Sequence, residues 1–428
     1  MDLIRKDAIK ASLSTVKQED FSSEAAGKCH KTLTAYWAFF PNKLPPKLEV
    51  DWQLAGLLSE AASALAELSG TGRLLHNPHL LIRPYLRREA ILSSRIENTI
   101  AEMEELVLFE VEEEINPPRS EVREVSNYVG AMKYGLNRIS ELPISKRLLC
   151  ELHRILLRDV RGGESTKTPG EFRRSQNWIG RPGALLKDAT FVPPPPEEML
   201  EALSDWEKYL HAESTEPPLV KCAILHYQLE AIHPFIDGNG RVGRLLITLF
   251  LCSQKCLSQP LLYLSGFFDQ YRDAYYDRLL AVSQKGDWRS WIEFFLIGVR
   301  QQARAALQDT ENIVSLYEQY RGRLKEATRL PITAALILDE LFGSPVFSIS
   351  RFAKRTGNSF PTTKKGVEFW MNQGLLQEIT GHRRNRLFVA RELLRLTADK
   401  PPKTEEAAAP ALRPDQREIR ETTGGATT

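Results

Sequence analysis

A chain of 428 residues with 42% hydrophobic and 26% charged content has the make-up of a soluble globular protein and the length for several domains. Its 57 Lys and Arg against 55 Asp and Glu leave a net charge of +2, which excludes a global field able to hold polyanions, so any basic patch must be local. Five cysteines without zinc-ligand spacing fit free thiols in a reducing, cytoplasmic compartment, and the absence of an apolar h-region or of any run of about 18 apolar residues argues against secretion and membrane spanning.

Residues 1–30 are polar and aperiodic and are expected to form a flexible arm. The aromatic cluster Tyr36 to Pro41 is closed by the turn residues Asn42 to Pro46, and Asp51 is placed to cap a helix that runs from Trp52 past Leu65 and stops at Gly70. A second helical pattern spans Tyr85 to Phe109. Asn116-Pro117-Pro118 breaks the chain before helices at about 121–141 and 145–160. Between Gly162 and Pro196 the texture changes to Gly, Pro and β-prone pieces, and Ser175–Ile179 and Ala189–Val192 around Pro182-Gly183 predict a β-hairpin. Helical periodicity resumes over Glu197–Tyr209, Leu219–Ile232, Val242–Cys256, about Asp269–Ser283, and Trp288 to about Lys325. The predicted fold is mainly α with a hairpin flap.

Pro331 opens a distinct piece in which Ala334–Leu341, Ser350–Thr356 and Thr362–Gln373 read as helices, followed by two β-prone stretches around the turn Gly381 to Asn385. Helix, helix, helix, hairpin is the order of a winged helix. The tail 399–428 is too polar and small to pack and is expected to be disordered.

Chemistry concentrates in His233-Pro234-Phe235-Ile236-Asp237-Gly238-Asn239-Gly240-Arg241-Val242-Gly243-Arg244, between two apolar helical runs. A loop entering a helix N-terminus offers unpaired N–H groups and the positive end of a dipole to an anion, and glycines let the backbone approach it. Arg241 and Arg244, three apart, can clamp a polyphosphate. Asp237 with phosphate oxygens could hold Mg²⁺, and His233 can accept a proton near neutral pH. The glycine pattern Gly238-x-Gly240-x-x-Gly243 is also that of dinucleotide-binding turns, but a helix precedes it rather than a strand, and no acid follows at the expected distance.

The segment resembles the core motif of the Fic (Fido) family of protein adenylyltransferases, His-Pro-Phe-x-Asp/Glu-Gly-Asn-Gly/Lys-Arg. The resemblance implies a helical core with a flap and transfer of AMP from ATP to a Ser, Thr or Tyr hydroxyl of target proteins and of the chain itself, with diphosphate released. His233 would be the base and Asp237 the Mg²⁺ ligand. Gly238, Asn239, Gly240, Arg241, Val242, Gly243 and Arg244 would bind ATP, with Arg244 on the γ-phosphate; Gly240, where a phosphotransferase branch has Lys, goes with nucleotidyl transfer.

Ser93-Ser94-Arg95-Ile96-Glu97-Asn98 resembles the family's inhibitory pattern Ser/Thr-x-x-x-Glu-Gly/Asn, which implies that Ser93, Glu97 and Asn98 belong to an inhibitory helix whose Glu97 pairs with Arg244. The flap residues Thr190, Phe191 and Val192 resemble the strand that docks targets by main-chain hydrogen bonds, and Gln270 and Tyr276 are candidates for the adenine pocket. The implied organisation is a flexible arm (1–30), an N-terminal region with the inhibitory helix (31–118), a Fic core (119–305), a linker helix (306–330), a winged helix (331–398) and a tail (399–428). Relatives of this subclass often dimerise, so a homodimer is a further expectation. Nine Lys and Arg between Arg351 and Arg391 raise a DNA contact through Thr362, Thr363 and Lys364, the less favoured reading of that face. The rival functions are a DNA-binding regulator with a nucleotide-sensing core, and removal of AMP by the same site.

Overall fold

The computed structural model describes residues 16–33, 36–74, 79–111, 120–160, 167–181, 183–381 and 386–397, which are mainly helical. The expected arm is corrected in part: β1 (Gly27–Lys31) pairs antiparallel with β2 (Trp37–Pro41), Gly27 opposite Pro41 and Lys31 opposite Trp37. The strand is too short to show alternation in sequence, and it is held by its partner, whose Phe39 is fully buried and stacks on Phe21. Residues 1–15 and the tail 399–428 lie outside the described residues.

Asp51 caps α1 (Trp52–Leu74), its carboxylate accepting the Leu54 N–H at 2.9 Å. The periodicity read across Tyr85 to Phe109 belongs to two helices, α2 (His79–Ile96) and α3 (Met103–Val111). Asn98 adopts φ +63°, the Thr99 N–H reaches the Ser94 carbonyl and the Asn98 N–H reaches that of Arg95. These two bonds are a Schellman ending with a left-handed Asn, the residue besides Gly that tolerates it best. α4 (Ser120–Arg138) and α5 (Lys146–Leu156) follow.

The flap is reduced to one antiparallel bridge, Ile179 with Phe191. Pro193 to Pro196 have no N–H to extend the ladder, and the carbonyl of Val192 is taken by the N–H of Phe39 in β2. Pro182, in the expected turn, lies outside the described residues.

α6 (Pro196–His211) and α7 (Pro218–Ile232) both begin on proline, whose missing N–H costs nothing in a first turn. α7 is buried all round, and with α8 (Asn239–Ser253), buried along most of its length, it forms the centre of the molecule. α9 (Ser265–Gln270) and α10 (Arg272–Lys285) lead into α11, which runs unbroken from Trp288 to Glu326, so the expected change from core to linker at 305 falls inside one helix.

Beyond it come α12 (Ala334–Gly343), β3 (Val346–Ser348), α13 (Ile349–Thr356), α14 (Phe360–Asn372), β4 (Gln377–Glu378), β5 (Leu387–Val389) and α15 (Arg391–Thr397). The three strands form an antiparallel sheet in the order β3, β5, β4, and the buried cluster of the helical core continues into these elements through Ile337, Phe342, Trp370 and Phe388. The basic face is largely occupied by protein partners. Arg355 pairs with Glu340 at 2.7 Å, Arg386 with Glu378 at 2.8 Å and Lys364 with Glu368 at 3.5 Å, and Arg351 bonds the Glu110 carbonyl. Thr363, expected near a DNA groove, is fully buried with its hydroxyl on the Ser359 carbonyl, because it lies on the inward side of α14. Arg383 and Arg384 lie outside the described residues.

Trp291 is fully buried and donates its indole N–H to the Ala223 carbonyl at 2.9 Å, joining α11 to α7. Trp291→Ala is expected to cost about 3–5 kcal/mol and Asp51→Ala about 1 kcal/mol, a ranking that thermal unfolding midpoints of the two variants will check.

Candidate active site

Two buried helices meet at one loop. His233 is the C-cap of α7, held at φ +50° and ψ +61°, and Gly238 at φ +79° turns the chain into α8. Between them the loop is closed on itself by Asn239, whose side-chain oxygen accepts the Phe235 N–H and whose amide donates to the Phe235 carbonyl, both at 2.8 Å. The side chain of Asn239, a residue expected to help hold ATP, braces the loop, because the chain reversal strands these two main-chain groups and Asn239 satisfies both. The Phe235 ring is fully buried, 3.9 Å from that of His153 and 5.3 Å from that of Phe172. His153 accepts the Gly170 N–H on Nδ1 and so donates from Nε2 to the Asp237 carbonyl at 2.9 Å.

The His233 ring points Nδ1 at the Glu230 carbonyl, 3.2 Å away. A carbonyl only accepts, so Nδ1 carries the proton and Nε2 is left as the basic nitrogen. Burial pushes the His233 pKa down to about 4, with the charge of Arg173 acting in the same direction against the Glu230 bond, Glu97 and Asp237. The imidazole is therefore neutral at physiological pH, the form a base requires.

Asp237 is half-exposed. One oxygen takes the Gly238 N–H at 2.6 Å and the other meets the Lys167 ammonium at 2.5 Å. Burial works against its charge, but Arg241, Lys167 and the Gly238 N–H outweigh it and hold its pKa below the usual carboxylate value. An ionised, accessible acid beside a helix N-terminus fits Mg²⁺, which takes one or two carboxylates and fills its shell with phosphate oxygens and water. No cluster of three or more candidate ligands occurs among the described residues, so Asp237 would be the protein's contribution.

Arg241 and Arg244 are both buried. Arg241 is fixed by Glu124 of α4 at 2.9 Å, a carboxylate that Thr99 also reaches. Arg244 gives Nε to the Ser93 hydroxyl at 2.9 Å, and Nη2 to the Ser93 carbonyl at 3.0 Å and to the Glu97 carboxylate at 2.7 Å. Burial opposes the Arg244 charge and Glu97 more than restores it, keeping its pKa above the ordinary value. Ser93 and Glu97 thus come together with Arg244, whereas Asn98 ends α2 and accepts from Arg272, so that Glu97, the last cap residue, swings into the site. Gly240 makes the space. A Cβ there would lie 2.3 Å from the Glu97 carboxylate and 2.8 Å from Arg244.

The remaining expectations separate. Val242 buries its side chain in the core and Gly243 has the Glu230 carboxylate packed against it. Glu230 is pushed up to about 7 by burial, and one of its oxygens has no partner among the described residues. Tyr276 on α10 is partly exposed, its hydroxyl pushed up to about 12 by desolvation and then by the charge of Glu97, and Gln270 is exposed at the end of α9. In the flap, Thr190 is exposed while Phe191 and Val192 are buried.

Several supporting residues escaped the sequence reading. Arg173 donates to the carbonyls of Ser175, Pro194, Ile232 and His233, and Asn177 donates to those of His233 and Phe235. Lys167 and Glu124 complete the set. All lie far from the motif in sequence, and acceptors that are main-chain carbonyls leave no residue signature. The one available signal was the density of polar residues in 173–177, within a hairpin expected to be β-prone.

Residues 55–137 match the family described as Fic/DOC family N-terminal, and residues 143–251 match the Fic/DOC family. Over 167 residues the chain is 34% identical to the Protein adenylyltransferase Fic of Drosophila yakuba and 33% identical to that of Drosophila melanogaster. The aligned stretch is 38% of this chain and 30% of each relative, so the chain spans less than a third of the length of the curated proteins it matches. Among solved structures, a Fic family protein from Desulfovibrio desulfuricans G20 aligns with 81% of this chain and 98% of its own at 21% identity and a TM-score of 0.53, a likeness of fold. The chain carries a Fic/DOC family N-terminal region, residues 55–137, followed by a Fic/DOC family domain, residues 143–251.

Proposed function

We propose that this chain transfers AMP from ATP to a side-chain hydroxyl of target proteins and of itself, and that Glu97 restrains the reaction. The observation that carries the reading is the Glu97–Arg244 pair, 2.7 Å, in which a buried guanidinium meets a partly exposed carboxylate over Gly240 at the N-terminus of α8. A triphosphate lying on that N-terminus would put its γ-phosphate where the Glu97 carboxylate sits, since both are anions competing for one guanidinium. The α-phosphorus then faces His233. The target oxygen bonds to it, its proton passes to Nε2, the bond from phosphorus to the bridging oxygen breaks, and diphosphate leaves with that oxygen. Mg²⁺ bound by Asp237 would supply charge neutralisation along the phosphates. Arg241, fixed by Glu124, would meet the phosphates with a guanidinium already oriented.

The exposed Thr190 edge of the flap is the surface on which an extended target segment would add main-chain hydrogen bonds. The elements from α12 to α15 are read as a winged helix that braces α2 rather than gripping nucleic acid. Its support is the set of bonds across that boundary, from Arg87 to the Gly343 carbonyl and from Arg351 to the Glu110 carbonyl. No helix among the described residues is long and apolar enough to cross a membrane.

Incubation with labelled ATP and Mg²⁺, alone and with a cell lysate, tests the reaction. Glu97→Gly is expected to raise label on protein by about 10- to 100-fold, because the γ-phosphate site is freed; label equal to the wild type removes the restraint. His233→Ala in that background is expected to lower it by about 10²- to 10⁴-fold. The rate per encounter, kcat/KM, of Glu97→Gly should stay level as pH falls from 8 towards 5.5 and decline only near the depressed His233 value of about 4. A decline centred near 6.5 instead would mean that the imidazole titrates as a free one.

A further inference from the structure

We infer that Arg173 is a positioning residue for the transfer step, tying the base His233 to both arms of the flap; the assignment rests on the AMP-transfer reading above. Its side chain is 2% exposed, and no carboxylate partners it among the described residues. A buried guanidinium needs compensation, and here main-chain carbonyls supply it. Nε donates to the His233 carbonyl at 2.9 Å, and Nη2 reaches the carbonyls of Pro194 and, at 3.5 Å, Ile232. Nη1 reaches that of Ser175 at 3.3 Å, and the Arg173 N–H donates to the Pro234 carbonyl at 3.0 Å.

Two of these acceptors, Ile232 and His233, end α7, where the helix presents orphan carbonyls and the negative end of its dipole. A cation is the natural cap there. The left-handed His233 cannot hold itself, since only Gly, Asn or Asp adopt that conformation readily, so the cap conformation depends on what grips its carbonyl. Asn177 grips the same oxygen at 3.2 Å and adds the Phe235 carbonyl at 2.8 Å.

The other two acceptors of the side chain lie on the flap. Ser175 is on its first arm and Pro194 follows Val192 on its second, so one planar side chain binds both arms to the residue that carries the base. A target segment lying along Thr190 is thereby placed at a fixed offset from Nε2. Lysine cannot substitute, because a single ammonium does not span acceptors on three segments as a guanidinium fork does. None of these bonds involves the residues proposed to hold the phosphates. The role therefore concerns the incoming hydroxyl and not the nucleotide.

The test uses full-length protein in the Glu97→Gly background. It measures the single-turnover rate of AMP transfer to protein and, separately, the affinity for a non-hydrolysable ATP analogue with Mg²⁺. Arg173→Gln is expected to slow transfer by about 100-fold, as a displacement of the base of order 1 Å would, with analogue affinity changed by less than about threefold. Arg173→Lys, the milder change should the glutamine variant fail to fold, is expected to slow transfer by at least about tenfold at the same analogue affinity. Transfer at the parent rate in either folded variant overturns the assignment, and so does a loss of analogue binding in step with transfer, which would mark a general structural role. His233→Ala run alongside separates the two readings. If it keeps its label, the base assignment beneath this inference fails; if it loses label while Arg173→Gln keeps it, only Arg173 is wrong.

Discussion

Arg244, with 1% of its side chain exposed, takes a carboxylate as its counter-charge, and much of this molecule is arranged around which anion it is given. In the state described here the anion is Glu97, and its placement is a property of the whole of α2. Four and eight residues before it on the same helix stand Ser93, which bonds Arg244, and Glu89, which is buried and takes bonds from Tyr128 of α4 and Ser265 of α9. Burial pushes Glu89 up to about 7 even against those bonds. Further back, Arg87 pairs with Glu110 and with the carbonyl that ends α12. The carboxylate that meets Arg244 is therefore the tip of a helix fastened at three levels, not a side chain free to wander.

The motif was legible because it is contiguous. A His, an Asp, two Arg and three Gly within twelve residues can be assembled on paper, and the helical runs on either side say where the loop must enter a helix. Glu97 was legible for a related reason, since Ser93 and Glu97 are one turn apart. What spacing alone did not convey is that α2 stops at that point, so that Glu97 is a cap residue; the Asn at 98 was the visible sign of it. Arg173, Asn177 and His153 were not legible in this sense, because each recognises a carbonyl or an N–H that any residue would supply.

The same distinction runs through the fold. The long helices announced themselves by periodicity and by their caps, as at Asp51 and the prolines opening α6 and α7. The short strands did not: β1 depends on a partner several residues on, and the flap, which reads as two strands, keeps one bridge because prolines follow it and β2 already uses its carbonyl. Pairing is a non-local property, so composition indicated extended chain without revealing how much of it would pair.

Gly240 carries a consequence for how such a chain can change over time. With the Glu97 oxygen 2.3 Å from where any Cβ would stand, a side chain at 240 requires the Glu97 carboxylate to shift from its present seat. The two positions lie 143 residues apart in sequence, yet growth at 240 moves the Glu97 carboxylate off the place it now holds beside Arg244. Steric exclusion thus writes a rule of inheritance between distant codons.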